Sequence, residues 1–462
     1  MPYENVILLT DSYKVTHYRQ YPPGTERVYS YLESRGGRFG ETVFFGLQYI
    51  LRRYLEGAVV TADRIDQAEA FFARHFGDAT LFHRAGWERV LRQHGGRLPV
   101  VIRAVPEGTV VPVRNVLLTI ENTDPACFWL TNYLETLLVQ VWYPTTVATL
   151  SREMRKLLLA SLRRTGETAT VDTRLHDFGF RGVSSVESAG LGAAAHLLSF
   201  SGTDTLAGCL LAREHYGAEM AGFSIPAAEH STLTAWGPEG EAASYRHVLE
   251  RFPHGPVSVV SDSWDVRRAC REIWGEELRE AVRTRDGVLV VRPDSGDPAE
   301  TVVEVLEILG ERFGADTNAK GFRVLPPYLR VIQGDGIDYD EAARVLDALE
   351  RRGWSADNLS FGMGGGLLQK LDRDTQSFAL KCSHVVVAGV GRDVFKRPAT
   401  DPGKASKAGR LKLVRDEGGA LRTVAEDDPG EDLLGEVFRD GEVRVLWSFE
   451  EVRRRARAGV EE

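Results

Sequence analysis

The chain has 462 residues, with 57 Lys and Arg against 66 Asp and Glu, a formal charge of -9, 43% hydrophobic and 27% charged content. That length exceeds one compact core and points to two or three domains of ordinary globular composition. The acidic balance excludes broad nucleic-acid binding, which needs a basic footprint, and the four scattered cysteines (Cys127, Cys209, Cys270, Cys382) form no C-x-x-C pair. A disulfide framework or zinc site is therefore not expected, and a reducing cytoplasmic setting is.

At the N-terminus, MPYENVILLTDSYK holds an apolar run between Glu4 and Asp11 that is too short for a signal peptide. DSYK (11–14) is a polar cluster whose Tyr13 is either a stacking ring or part of a surface turn. YSYLESRGG and ETVFFGLQYIL read as strand and helix pieces, and 98–123 as short strands parted by Pro and Gly turns. Residues 128–150 are the most apolar stretch. They include Asn132, Glu135 and Gln140 and are interrupted by Pro144, so they read as a buried helix and not a membrane span.

The middle of the chain alternates short apolar runs with amphipathic stretches. LHDFGFRG (175–182), GTDT (202–205), PVSVVSDS (256–263), VLVVRPDSGDP (288–298) and YLRVIQGDGID (328–338) each precede a helical pattern, and LSFGMGGG (359–366) follows. This rhythm predicts a parallel α/β sheet, and the number of units suits a barrel better than a small open sheet. Asp177, Arg181, Asp204, Asp262, Arg292, Asp294, Asp335 and the glycines at 364–366 all follow strands. In a (β/α) barrel such positions share one face, where active sites form. The first 150 residues and the segment from 381 to 462 are expected to build one α+β domain, with the barrel spanning 151–380.

Each motif has two readings. In RPDSGDP, Arg292 can fork onto a phosphate, the helix N-terminus favours an anion, and Asp294 suits ribose hydroxyls or Mg²⁺; the alternative is a plain capped turn, with Pro298 as a first helical residue. QGDG and GMGGG let backbone approach a ligand, or are tight turns. Phe178 can stack on a heteroaromatic ring, or fill a core. Asp204 accepts hydrogen bonds but cannot donate them, so it suits a carboxamide and repels a carboxylate; otherwise it is a helix cap. His230, in PAAEHST, is a candidate catalytic group or a structural histidine. Lys381, Lys396, Lys404 and Lys407 form a basic stretch that binds anions or is merely solvated. GLGAAA (190–195) fits the dinucleotide pattern but lies inside a predicted helix, so its required context fails.

Together TDSYKVTHYRQYPPGT, ETVFFGLQYIL, LHDFGFRGVSS, GTDT, PAAEHST, PVSVVSDS, VRPDSG, LPPYLRVIQGDG, FGMGGGLLQKL and ALKCS resemble the nicotinamide phosphoribosyltransferase family, in family order and across nearly the whole chain. The resemblance implies a type II phosphoribosyltransferase fold, an irregular (β/α) barrel plus an α+β domain built from both chain ends. It implies transfer of phosphoribosyl from phosphoribosyl pyrophosphate to nicotinamide in NAD salvage, giving nicotinamide mononucleotide and pyrophosphate, with nicotinate phosphoribosyltransferase as the nearest rival. It also implies Mg²⁺, ATP as a coupling co-substrate, and a cytoplasmic homodimer with shared active sites.

By the same resemblance, Phe178 and a partner's Tyr13, with Asp11 beside it, sandwich the nicotinamide ring, and Asp204 holds its carboxamide. Arg181, Ser258, Arg292, Asp294, Gly334, Asp335, Gly364 and Gly365 line the ribose and phosphate site. Arg35, Arg373, Lys381, Lys396 and Lys404 reach phosphates. His230 matches a histidine phosphorylated from ATP, and Asp262 and Asp294 match carboxylates near the ribose and metal. Met363 and Ser360 depart from the better-known pattern near the ligand tunnel.

Overall fold

The computed structural model describes residues 4–397, 399–400 and 405–460. The chain divides into two compact units: Met1–Thr149 with His215–Gly217 and Asp372–Ala456, and Leu150–Glu214 with Ala218–Leu371 and Arg457–Glu462. The second break falls near 371 and not at 380, because Phe378–Val387 is a strand of the first unit's sheet. The last residues, from Arg457 on, also return to the barrel unit.

The first unit is built on a seven-stranded antiparallel sheet. Its order is Val390–Asp393, Phe378–Val387, Thr25–Ser34, Val116–Asn122, Val100–Ala104, Gly435–Arg439, Glu442–Val443. Strands from the N-terminal part occupy the centre and strands from the C-terminal part both edges, so the two ends of the chain make one sheet. The apolar stretch 128–150 is not one helix. It forms the short helices Leu130–Tyr133 and Glu135–Val139 and then enters Trp142–Thr165. Pro144 lies in the first turn of that last helix, where a missing N–H breaks no bond. Among the described residues no helix is long and apolar enough to cross a membrane.

The second unit has six parallel strands in the order Gly202–Thr203, Leu175–Asp177, Leu359–Met363, Leu329–Gln333, Leu289–Arg292, Val257–Val260. The extended segment 223–228 bonds to both edges. Gly202 bridges Phe223, and Ala227 bridges Ser258, both in parallel sense, which closes the sheet into an irregular barrel. Helices Val186–His196, Leu206–Tyr216, Glu241–Arg251, Pro298–Phe313 and Tyr339–Arg351 make the connections.

Alternation along the strands sorts the side chains. Val257, Val259, Leu289, Val291, Leu329, Val331, Leu359 and Phe361 are all within 1% of full burial, and each stabilises the unit by about 1.5–3 kcal/mol. The alternate set, His176, Val290, Arg330, Ile332 and Ser360, lines an interior cavity of about 340 Å³. The predicted GLGAAA decoy lies within helix Val186–His196.

Candidate active site

The strand ends of the barrel carry the predicted polar residues, and the backbone fixes them. Phe178 directly follows Leu175–Asp177, and its N–H donates to the Met363 carbonyl at 3.0 Å. Its ring lies across two glycines: a Cβ on Gly362 would fall 1.9 Å from the ring, and one on Gly334 would fall 3.2 Å from it. These glycines leave the space the aromatic ring occupies. The same point on Gly334 is 3.7 Å from Asp294 Oδ1, and that on Gly364 is 3.5 Å from the Phe178 carbonyl. Phe178, Gly334, Gly364 and Asp294 are thus brought together from four strand ends.

Asp204 follows the shortest strand. Its N–H donates to the Asp177 carbonyl at 2.9 Å, and its Oδ1 accepts the Ser224 hydroxyl. The carboxylate is exposed, which leaves Oδ2 open to a donor. His176 sits close enough for the Asp204 charge to act on its ring.

His230 begins the short helix His230–Thr234, and its Nε2 lies 2.8 Å from Asp262 Oδ1. Asp262 is almost buried, while the imidazole is 45% exposed. Arg292 Nη2 donates to Asp294 at 2.8 Å. Burial, more than any other influence, raises the Asp294 carboxyl above the ordinary range; Arg292 opposes this, Asp262 adds to it and His230 opposes it. These four groups therefore share one electrostatic environment.

The helix at Pro298 corrects one expectation. Asp297 accepts the Glu300 N–H at 3.0 Å, and Arg344 forks onto Asp297 at 3.2 and 2.7 Å. The helix start is capped by its own carboxylate, so that amide is spent, and Arg292 is the remaining group of the motif able to fork onto an anion. Gly296 has φ +87°, a conformation that favours glycine.

Arg181 is exposed on the turn Phe180–Gly182, and a Cβ on Gly182 would lie 3.5 Å from Gly365. Ser258 is buried inside its strand, where its N–H donates to the Pro226 carbonyl and its carbonyl accepts the Ala228 N–H. Asp335 is exposed, and its carbonyl accepts from Gln333 Nε2 at 3.0 Å. Three buried polar atoms at these strand ends, Arg292 Nε, Ser263 Oγ and Gln333 Oε1, have no hydrogen-bond partner. Buried polar groups are seldom left so, and a polar ligand is one way to satisfy them.

The first unit holds the remaining predicted residues. Asp11 accepts the Thr136 hydroxyl at 2.8 Å. Tyr13 is 59% exposed, edge-on to His17. Lys381 is half-buried; burial, more than any other influence, holds its ammonium pKa below the ordinary lysine value, Glu135 opposes this, and the charges of Lys396, Arg35 and Arg373 push it the same way as burial. Four predicted cations thus form one basic patch. Lys404 lies outside the described residues. Lys407 is an anchor: its ammonium pairs with the buried Glu33, and its N–H donates to Tyr31 Oη at 2.8 Å.

Asp262 and Asp294 suit Mg²⁺ as a pair of neighbouring oxygen donors. Among the described residues, the one set of three or more His, Cys or acidic side chains close enough to share a metal is His94, Asp124 and Cys127. Arg89 already forks onto Asp124 at 2.7 and 3.2 Å, and burial pushes the Cys127 thiol up to about 12, so this cluster is a structural tie. Sequence reasoning missed Ser224, Asp177 as a buried acid, and Gly362. Gly362 and Asp177 stood within quoted motifs, but the burial of Asp177 and the tie of Ser224 to Asp204 depend on neighbours from other strands.

The sequence profile of the Nicotinate phosphoribosyltransferase (NAPRTase) family matches residues 173–442, and that of the Nicotinamide phosphoribosyltransferase N-terminal domain matches residues 5–102. A nicotinamide phosphoribosyltransferase of Xanthomonas campestris pv. campestris is 50% identical, with 98% of each chain covered. One from Acinetobacter baylyi is 34% identical over 98% of this chain and 97% of its own. In structure, the chain is similar to a nicotinate-nucleotide pyrophosphorylase from Pyrococcus furiosus (TM-score 0.62, 17% identity, covering 99% and 97%). It is also similar to human nicotinic acid phosphoribosyltransferase (TM-score 0.57, 19% identity, covering 97% and 93%). At those identities the likeness concerns the fold.

Proposed function

Because the chain belongs to the nicotinamide phosphoribosyltransferase family, we propose that it transfers the phosphoribosyl group of phosphoribosyl pyrophosphate to nicotinamide in NAD salvage. The ring nitrogen of nicotinamide attacks the anomeric carbon, the bond from that carbon to pyrophosphate breaks, and nicotinamide mononucleotide and pyrophosphate form. The observation that carries the choice of base is Asp204. An exposed carboxylate with one oxygen held by Ser224 and the other open accepts a carboxamide N–H₂ and repels nicotinate.

The residues divide the work. Phe178, braced by Gly334 and Gly362, offers a flat face that orients the base for in-line attack. The displacement passes through an oxocarbenium-like state, as other glycosyl transfers do, so the site must hold a cationic sugar and an anionic leaving group together. Asp294 and Asp262 supply negative charge near the sugar, with Gly334, Asp335, Gly364 and Gly365 around the ribose. Arg181 and Arg292 receive phosphate, helped by Ser258. When bound, Mg²⁺ held by Asp262 and Asp294 would neutralise pyrophosphate.

The reading extends to ATP coupling and assembly. Asp262 engages His230 Nε2 and leaves Nδ1 to accept the γ-phosphoryl of ATP, with ADP leaving. In a homodimer, the basic patch of Arg35, Arg373, Lys381 and Lys396, with Lys404, and the exposed Asp11 and Tyr13 complete a partner's site. Support comes from Val186, Leu206 and Leu210, which are 69%, 72% and 53% exposed on adjoining helices, an apolar surface that a partner would cover. A cytoplasmic location accords with four free thiols.

The test is product formation from phosphoribosyl pyrophosphate and Mg²⁺ with nicotinamide or nicotinic acid, with and without ATP, for the wild type, Asp204→Asn and His230→Ala. Nicotinamide mononucleotide from the wild type, relaxed selectivity in the first variant, and in the second the loss of ATP hydrolysis and of its effect on product formation, are expected. Preference for nicotinic acid, or no product from either base, overturns the reading.

A further inference from the structure

Asp177 stands in a layer where charge is costly. Parallel register pairs it with Met363 on one side and Thr203 on the other. It shares its strand face with Leu175, the residue paired with the buried Phe361, whereas His176, one residue earlier, lines the interior cavity. Asp177 therefore points away from the cavity, into the apolar layer between strands and helices, and it is fully buried. A carboxylate in that place costs several kcal/mol unless its surroundings compensate it.

Its compensation is local, and it joins two loops. Oδ1 accepts the Gly179 N–H at 2.7 Å, and Oδ2 accepts the Thr203 hydroxyl at 3.2 Å. The Asp177 carbonyl accepts the Asp204 N–H at 2.9 Å. Thr203 Oγ1 in turn accepts the Thr205 N–H at 3.0 Å, which continues the network to the start of helix Leu206–Tyr216. One residue thus binds the turn that carries Phe178 to the turn that carries Asp204. The Asp204 charge also reaches Asp177. Burial first, with the Asp204 charge adding to it, raises the Asp177 carboxyl to about 6, while the Gly179 N–H and the threonine hydroxyls oppose the rise. A second acidic group is therefore tied to Asp204 through one backbone bond.

We propose that Asp177 is a positioning and specificity residue: it keeps the ring-stacking and carboxamide-binding turns in register, and its buried charge reinforces Asp204 in rejecting nicotinate. This rests on the proposed reaction. Neither task needs contact with substrate, since both act through the two turns.

Two variants separate the tasks. Asp177→Asn keeps the shape and an acceptor for the Gly179 N–H but removes the charge. Its melting temperature and its kcat/KM for nicotinamide are expected to stay close to wild type. The ratio of kcat/KM for nicotinic acid over nicotinamide is expected to rise about tenfold, the effect of one unit charge acting across about 12 Å at an effective dielectric of about 20. Asp177→Ala removes the tie as well. Its KM for nicotinamide is expected to rise more than about tenfold with a smaller change in kcat, because mispositioned groups lose binding. An unchanged base ratio in Asp177→Asn overturns the charge role, and an unchanged KM in Asp177→Ala overturns the tie. A wild type that prefers nicotinic acid overturns both, together with the reaction itself. A wild type that uses nicotinamide beside variants that behave identically overturns only this inference.

Discussion

In the barrel unit, Phe178, Asp204, Asp262 and Arg292 are each tied to a neighbour on another strand or turn: to the Met363 carbonyl, Ser224, His230 and Asp294 respectively. In the sheet unit, Tyr13, Arg373 and Lys396 stand exposed, and the cations are related chiefly through their fields on Lys381. The first arrangement depends on shape, because each group has one position that its bonds and packing allow. The second depends on summed charge, which tolerates displacement and is weakened by salt.

The largest effect that would sharpen this contrast is at Gly362. A Cβ there enters the Phe178 ring, and moving the ring is easier than moving the strand. Gly362→Ala is expected to fold but to lose about 100-fold in kcat/KM for nicotinamide, the order found when reacting groups are misplaced by an ångström. Near-wild-type kinetics in this variant would show that the ring's position is unimportant. Next comes Arg292→Lys. An ammonium cannot reproduce the fork, and about a 10–100-fold loss in kcat/KM for phosphoribosyl pyrophosphate is expected, with little change as ionic strength rises.

Smaller effects belong to the basic patch. Arg373→Ala and Lys396→Ala are each expected to raise KM for phosphoribosyl pyrophosphate about two- to fivefold, within the range of exposed charge effects, and to flatten its dependence on salt. A single patch variant that cost more than Arg292→Lys would break the comparison.

The smallest effect on turnover, essentially none, is expected at Glu107 in the sheet unit. This carboxyl accepts the Gln48 N–H at 2.6 Å and the Tyr216 hydroxyl at 2.8 Å, and burial raises it from 4.5 to about 7. The folded form holds its proton where the unfolded form does not. Stability is therefore full below about 4.5 and falls as pH rises toward 7. Glu107→Gln should raise stability at pH 8 by about 1–3 kcal/mol and give no gain at pH 4, read by chemical denaturation at the two pH values. In the barrel unit His196 runs the other way. Burial lowers it to about 3, so its contribution is present above 6.5 and lost as pH falls toward 3.

Much of the barrel was readable in advance. Strand–helix rhythm placed Phe178, Asp204, Asp262, Arg292, Asp294 and Asp335 at strand ends, because hydrophobic periodicity is written locally and parallel strands align their C-terminal ends by topology. Family likeness supplied the roles proposed for them, which position alone could not. The helix starting at Pro298 was equally legible, and of the two readings of its turn the capped one holds, with Asp297 accepting the Glu300 N–H. The interruption read at Pro144 is the start of helix Trp142–Thr165, where the proline lies in the first turn.

What the sequence determined by itself was the alternation, the α/β class, the mixing of both chain ends in a second α+β unit, and the residues with chemistry to offer. Tertiary structure alone decided that segment 223–228 closes the barrel, that Gly362 makes room for Phe178, that Ser224 and Asp177 brace Asp204, and that Lys407 anchors its loop on Glu33. The reason is physical. Periodicity and turn chemistry act between residues a few positions apart, whereas a hydrogen bond or a steric vacancy between strands depends on register, and register is settled only when the whole sheet buries its apolar face.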